Sequence, residues 1–241
     1  MLFDPKELNY SKIRTYLECP QLYRMIYVEQ KRQPLTPLSS LGISLHRALA
    51  DFHKRSGGLD ELLDSYDAGW VGSGYADAQE QMSHYKRGQQ LLEKYWEEQS
   101  QNKALVKWTE KIFEFPREEF RIKGTIDRVD QNPNGTWEII DYKTGPEPII
   151  EANMPGLQLT IYGAGAELGL GIDPQTLSYW HLSSGRKYSA PYDKAAAEKV
   201  TVLFIETGRK ILAGDFPCNP ERCPACLMKD QCRACAQERE A

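Results

Sequence analysis

The chain contains no apolar run approaching the length of a bilayer, which removes a helical membrane span from consideration. It contains no Gly-x-x-x-x-Gly-Lys-Ser/Thr phosphate loop, so it carries no ATP motor of its own. Internal repeats and low-complexity tracts are missing too, which sets aside solenoids and disordered linkers. Excess positive charge is also lacking. The 30 Lys and Arg stand against 34 Asp and Glu, and the net charge of −4 does not advertise a polyanion binder. The opening Met1-Leu-Phe-Asp-Pro-Lys6 lacks a signal-peptide pattern, so a soluble, cytoplasmic protein is expected. At 241 residues, one large domain over 1–241 with a sizeable core is expected.

The charge that is present is unevenly spread. Lys12, Arg14, Arg24, Lys31, Arg32, Arg47, Lys54 and Arg55 all fall in the N-terminal part. Such a group is more often a solvated face than a phosphate track. Helices are expected from Ser11, as the cap, to Cys19-Pro20, then over 41–55, 59–70 and 76–99, the last two parted by Gly72-Ser-Gly74. A strand is expected over 105–115, a helix over 155–168, strands over 176–182 and 187–191, and a long helix over 193–212. The expected fold class is α/β (α+β), with helices flanking a small mixed central sheet. Its parts are N-terminal helices (1–55), a helical insert (56–104), a sheet core (105–192), and a C-terminal helix with a cysteine-rich region (193–241).

The most informative stretch is Gly124-Thr-Ile-Asp-Arg-Val-Asp130 followed by Glu138-Ile-Ile-Asp-Tyr-Lys-Thr-Gly145. β-branched residues alternate before Asn132-Pro-Asn-Gly135, which supplies turn chemistry, and a second strand-like run follows. Strand side chains alternate faces, so Asp141 and Lys143 share one face, and Asp127 at the end of the partner strand is expected to reach the same spot. Two carboxylates beside a lysine suit a hard, oxygen-loving cation and a phosphate oxyanion, which points to metal-assisted hydrolysis of a phosphodiester. Alone, Asp-x-Lys at a strand end is usually a solvated edge. Here the strand is otherwise apolar (Trp137, Ile139, Ile140) and runs straight into the charged pair. Glu110 on the preceding strand could join a metal cluster, on a weaker signal than the others.

Six cysteines form the second signal: Cys19, then Cys218, Cys223, Cys226, Cys232 and Cys235. Cys223-Pro-Ala-Cys226 followed by Cys232 has metal-type spacing, and a tetrahedral thiolate set needs a fourth ligand. Cys19 is the natural candidate, with Cys218 and Cys235 competing. Such a set holds zinc or an iron–sulfur cluster. Disulfides are disfavoured by the tight clustering and the missing secretory pattern.

Together these features resemble a RecB-type nuclease of the PD-(D/E)xK superfamily, in the branch with a C-terminal iron–sulfur cluster. Relatives of that branch include the CRISPR-associated spacer-acquisition exonucleases and the nuclease domains of AddB-type helicase–nucleases. The resemblance covers almost the whole chain. Leu8 to Tyr23 resembles the family's opening helix with its first cluster cysteine. Leu41-Gly-Ile-Ser-Leu-His-Arg-Ala-Leu49 follows, then the two core motifs, then Gln158-Leu-Thr-Ile-Tyr162 as the Gln-x-x-x-Tyr motif, then the cysteine trio.

The resemblance implies a restriction-endonuclease-like core in which His46, Asp127, Asp141 and the backbone carbonyl of Tyr142 hold Mg²⁺ or Mn²⁺. A lone helical histidine is otherwise more often structural. Asp127, Asp141, Lys143, Gln158 and Tyr162 would be the catalytic set, although a helix face carrying Gln158 and Tyr162 also reads as simple packing on the sheet. Cys19, Cys223, Cys226 and Cys232 would hold a [4Fe–4S] cluster. The expected activity is a metal-dependent deoxyribonuclease, an exonuclease on single strands or DNA ends, in repair and recombination or in CRISPR spacer acquisition. DNA would be the partner, with a helicase or CRISPR integration proteins as further ones. Two other readings stay open: a catalytically quiet DNA-binding subunit, and a zinc-binding interaction module.

Overall fold

A computed structural model describes residues 4–55, 57–145 and 154–232. Strand β1 (Glu7–Leu8) is followed by helices α1 (Tyr10–Glu18), α2 (Pro20–Tyr23) and a π-helical turn (Arg24–Val28). Next come α3 (Pro37–Arg55), α4 (Leu59–Gly69) and α5 (Ala78–Gln99), then β2 (Leu105–Arg117), β3 (Phe120–Gln131) and β4 (Trp137–Lys143). The remaining long elements are α6 (Gly156–Leu170), β5 (Pro174–His181), β6 (Lys187–Pro191) and α7 (Lys194–Leu212).

The sheet is mixed and six-stranded, and β3 is its spine. One edge of β3 pairs with β2 antiparallel along nearly its whole length. The other edge is shared. It pairs with β1 in parallel at Arg121 and Ile122, and with β4 antiparallel from Arg128 to Gln131. β4 then pairs with β5 in parallel, and β5 with β6 antiparallel. The β3–β4 turn closes where Gly135 takes a left-handed φ of 86° and Asn132 N donates to Thr136 O.

Helices cover both faces. Ile140, Tyr142, Trp180 and Leu182 meet the apolar stripe of α3 (Leu41, Leu45, Leu49, Phe52) and residues of α4 and α5. On the opposite face Val129, Ile139 and Leu177 pack under α6 and α7. Gly165 lets α6 approach closely, because a Cβ there would lie 2.4 Å from the Phe113 ring. Among the described residues, no helix is long and apolar enough to cross a membrane. The mixed α/β class and helix-flanked central sheet expected from the sequence are present.

Several boundaries differ, each for a local reason. Asn9, not Ser11, caps α1, its side chain accepting from Lys12 N at 2.9 Å. That helix ends at Glu18, and Pro20 starts a new one, where a missing N–H is harmless. Helix α3 begins at Pro37 rather than Leu41, because Thr36 and Ser39 cap it reciprocally: Thr36 N donates to Ser39 Oγ at 2.8 Å and Ser39 N to Thr36 Oγ1 at 3.2 Å. Asp127 lies inside β3, not at its end.

The buried Arg128 was not foreseen. Both Arg128 and Asp130 are 0% exposed, and the guanidinium grips the carboxylate through Nε at 2.6 Å and Nη2 at 2.5 Å. Its Nη1 donates to Tyr95 Oη at 2.8 Å and to Gln99 Oε1 at 2.6 Å, and Tyr95 Oη bonds Tyr142 Oη at 2.9 Å. The network ties α5 to β3 and β4 at the last step of their ladder. Removing one partner strands a buried charge, so Asp130→Ala is expected to lower stability by about 3–5 kcal/mol. Urea unfolding monitored by circular dichroism reads this directly, and an unchanged midpoint would show that the network carries no such weight.

A candidate active site where two strands part

The β3–β4 ladder ends at the pair Arg128 and Ile140. One step further in the same register, Asp127 faces Asp141. The strands separate there, and the Asp127 side chain takes the place of a ladder carbonyl: Tyr142 N donates to Asp127 Oδ2 at 2.9 Å. Beyond this point the same edge of β3 goes on to meet β1. The fork opens a cleft of about 620 Å³ bordered by α3, β2, β3 and α6.

Pleating puts Asp141 and Lys143 on the α6 side of β4. Gln158 from the first turn of α6 fixes both: its Nε2 donates to Asp141 Oδ1 at 2.8 Å, and its Oε1 accepts from Lys143 Nζ at 2.7 Å. The same Nε2 lies 3.0 Å from Tyr162 Oη, one turn along the helix. Lys143 Nζ is also 2.5 Å from Asp141 Oδ2 and 4.9 Å from the Tyr179 ring centre. Asp141 is 1% exposed, and its Oδ2 accepts no hydrogen bond of good geometry from the described residues. A buried carboxylate oxygen left with only an ion pair is well placed to take a cation.

His46 enters from α3, with Nδ1 3.3 Å from Asp127 Oδ2. Its neighbour Leu45 is buried in the stripe facing the sheet, which holds the imidazole over the fork. Glu110 enters from β2, facing Asp127 between the pairs Thr109–Arg128 and Lys111–Ile126. Its φ of 47° is left-handed, a conformation uncommon for glutamate. Ligand atoms of His46, Glu110 and Asp127 lie within 4.8 Å of one another, so the group could hold a metal ion. Imidazole and carboxylate oxygens suit a borderline-to-hard divalent cation. The fork thus gathers His46, Asp127, Asp141, Lys143, Gln158 and Tyr162, all foreseen. Glu110 is a fuller member than the sequence suggested, because only the register shows that it faces Asp127.

The electrostatics match this crowding. Burial raises the Asp141 carboxyl above its usual range; Lys143 opposes the shift and Asp127 adds to it. Burial and Asp127 likewise raise Glu110. For His46, burial alone would lower the imidazole, but the charge and hydrogen bond of Asp127, with help from Asp141, raise it to about 9. A bound divalent cation would replace that proton and make the neutral ring a ligand.

A second group of side chains lies at the far end of α1. Cys19, Cys223, Cys226 and Cys232 line one cavity of about 180 Å³ together with Leu22, Met25 and Leu227. Asn219 N lies 3.4 Å from Cys19 Sγ, and Cys218 Sγ lies 3.7 Å from Cys223 Sγ. Cys19, Cys218, Cys226 and Cys232 are free thiols, whereas Cys223 is disulfide-bonded, which corrects the expectation that disulfides are disfavoured here. Cys235 lies outside the described residues.

A mixed sheet forked over a His, carboxylate and lysine cluster suits metal-assisted cleavage of a phosphodiester. The profile of the PD-(D/E)XK nuclease superfamily matches residues 7–233, and the chain belongs to that superfamily. Its fold is similar to that of a candidate exonuclease from Eubacterium rectale, at 8% identity and a TM-score of 0.58 over 97% of this chain and 88% of that one. The protein SSO0001 aligns at 17% identity over 93% of both chains, with a TM-score of 0.38 that supports no structural argument. No curated protein matches the sequence.

The His46–Asp127 pair makes a prediction for the metal-free protein. Because the folded value lies above the ordinary 6.5, the pair stabilises the fold fully below about 6.5 and ceases to do so as pH rises through about 9. An NMR titration is expected to give a His46 midpoint near 9. Asp127→Asn should lower it well below 9, since burial is then opposed only by the more weakly acting Asp141. An unshifted midpoint in the variant would exclude Asp127 as the cause.

Proposed function

We propose that this protein is a metal-dependent deoxyribonuclease whose active site is the strand fork. The observation that carries the reading is the gathering of His46, Glu110 and Asp127 at the strand fork beside the Asp141–Lys143 pair, in a chain of this superfamily. His46, Asp127, Asp141 and the Tyr142 carbonyl, joined by Glu110, would hold one or two Mg²⁺ or Mn²⁺ ions. When bound, the ions polarise a phosphoryl oxygen and lower the pKa of water. Lys143 positions its ammonium for the attacked phosphate and the entering water, a task suited to a compact point charge. Gln158 is a positioning residue that keeps the Lys143 ammonium beside Asp141, and Tyr162 orients Gln158 in turn.

The substrate reading is single-stranded DNA or DNA ends, with exonucleolytic cleavage. The Eubacterium rectale protein of similar fold is described as a candidate exonuclease, which accords with the exonucleolytic part of this reading. Such an enzyme, a single domain over 1–241 acting in the cytoplasm, would serve repair and recombination or CRISPR spacer acquisition. It would act alone, with a helicase, or with integration proteins.

Asp141→Asn and Lys143→Ala are expected to stay folded and to lose about 10²- to 10³-fold in cleavage of end-labelled DNA. Near-normal cleavage by either variant with Mg²⁺ or Mn²⁺ refutes the assignment.

Cys19, Cys223, Cys226 and Cys232 would hold a [4Fe–4S] cluster once Cys223 is reduced. The shared apolar-walled cavity and the Asn219 N–H aimed at Cys19 suit thiolates that need charge stabilisation. The cluster would be structural, since thiolates from both ends of the chain close a very long loop. Anaerobic purification should give a brown protein whose iron and sulfide fall in the Cys19→Ser variant. A colourless protein with zinc and no sulfide would replace the cluster by a zinc site.

A further inference from the structure

Next to the metal cleft lies a second recess that no proposed chemistry uses. It is a cavity of about 280 Å³ lined by His53, Lys54, Lys107, Trp108, Thr109 and Lys111. Lys54 also borders the metal cleft, and Thr109 is followed in the chain by Glu110, so the two spaces are adjacent. The recess is strongly cationic in a chain of net charge −4. Lys54, Lys107 and Lys111 form no ion pair among the described residues, whereas Lys12, Lys143, Lys187 and Lys194 do. His53 adds no charge: burial and the nearby Arg128 depress it to about 3, and its Nε2 sits 2.6 Å from Tyr95 Oη.

The backbone aims these lysines. The β2–β3 register shifts between Val106 and Trp108, leaving Lys107 as the extra residue of a bulge. Trp108 lies flat on Trp137, ring centres 5.6 Å apart and planes 3° from parallel, and Lys111 Nζ rests 5.1 Å from the Trp108 centre. An aromatic floor with ammonium groups around it that form no ion pair fits the backbone of a polynucleotide, whose phosphates would supply the counter-charge.

We propose that this recess is the track along which a single polynucleotide strand lies beside the metal cleft, its phosphates held by Lys54, Lys107 and Lys111. The assignment rests on the nuclease reading for the identity of the ligand. The test compares wild type, the double variant Lys107→Gln/Lys111→Gln, and a control double variant Lys199→Gln/Lys210→Gln on α7. Binding of fluorescent oligothymidylate is measured by anisotropy in EDTA across a salt series, and hydrolysis of bis(p-nitrophenyl) phosphate is measured with Mn²⁺.

The groove variant is expected to bind about tenfold more weakly, with a salt slope reduced by about 0.7 per lysine removed, while the control binds like wild type. Its hydrolysis of the small diester should be unchanged. Wild-type affinity and slope in the groove variant, or equal losses in the control, overturn the track even if the enzyme cleaves DNA. Lysine-dependent strand binding by a protein that hydrolyses no phosphodiester leaves the track standing and refutes the nuclease reading instead.

Discussion

A guanidinium taken wholly out of water persists only where every direction it faces offers an acceptor. Arg128 meets that demand with Asp130, Tyr95, Gln99 and the Trp180 ring, whose centre lies 5.3 Å away. The demand is geometric, so it fixes β3, β4 and α5 relative to one another. Arg128 directly precedes the fork and Tyr142 directly follows Asp141. On one face of the sheet the network sets these residues. On the other, the same backbone steps set Asp127 and Asp141. Placement of the carboxylates is therefore settled by packing on the side of the sheet that no substrate reaches.

The fork itself is a controlled failure of a β-ladder. A strand pair that kept its register would bury Asp127 and Asp141 against each other with no solvent between them. Parting the strands makes room for a cation and leaves one amide without a ladder partner, which Asp127 satisfies. Like charges brought this close are tolerable only with positive charge among them. In the protein alone that charge comes from Lys143 and a protonated His46, as their contacts and the raised histidine show.

Much of this was legible in the sequence, because local patterns carried it. Alternation and Asn132-Pro-Asn-Gly135 marked the hairpin, and the 158/162 spacing marked one face of α6. The fold class followed from the alternation of helical and strand-like periods. What the sequence hid was long-range register. Glu110 reads as an ordinary polar residue until β2 is laid against β3. Arg128 reads as the solvent side of a strand, yet α5 covers it completely. The Thr36–Ser39 cap is written in the sequence, but the apolar stripe of α3 begins only at Leu41, so periodicity alone starts the helix late.

The cysteine corner is held by more than sulfur. Tyr16 Oη donates to Asp215 O, Gln21 N to Pro217 O, and Asn219 Nδ2 to Glu18 O. The first of these contacts spans 199 positions of chain. During synthesis the opening helices therefore leave the ribosome long before their partners exist. Tyr16 and Tyr23 stay uncovered until residues near 211–219 have been added, so this corner cannot close before then.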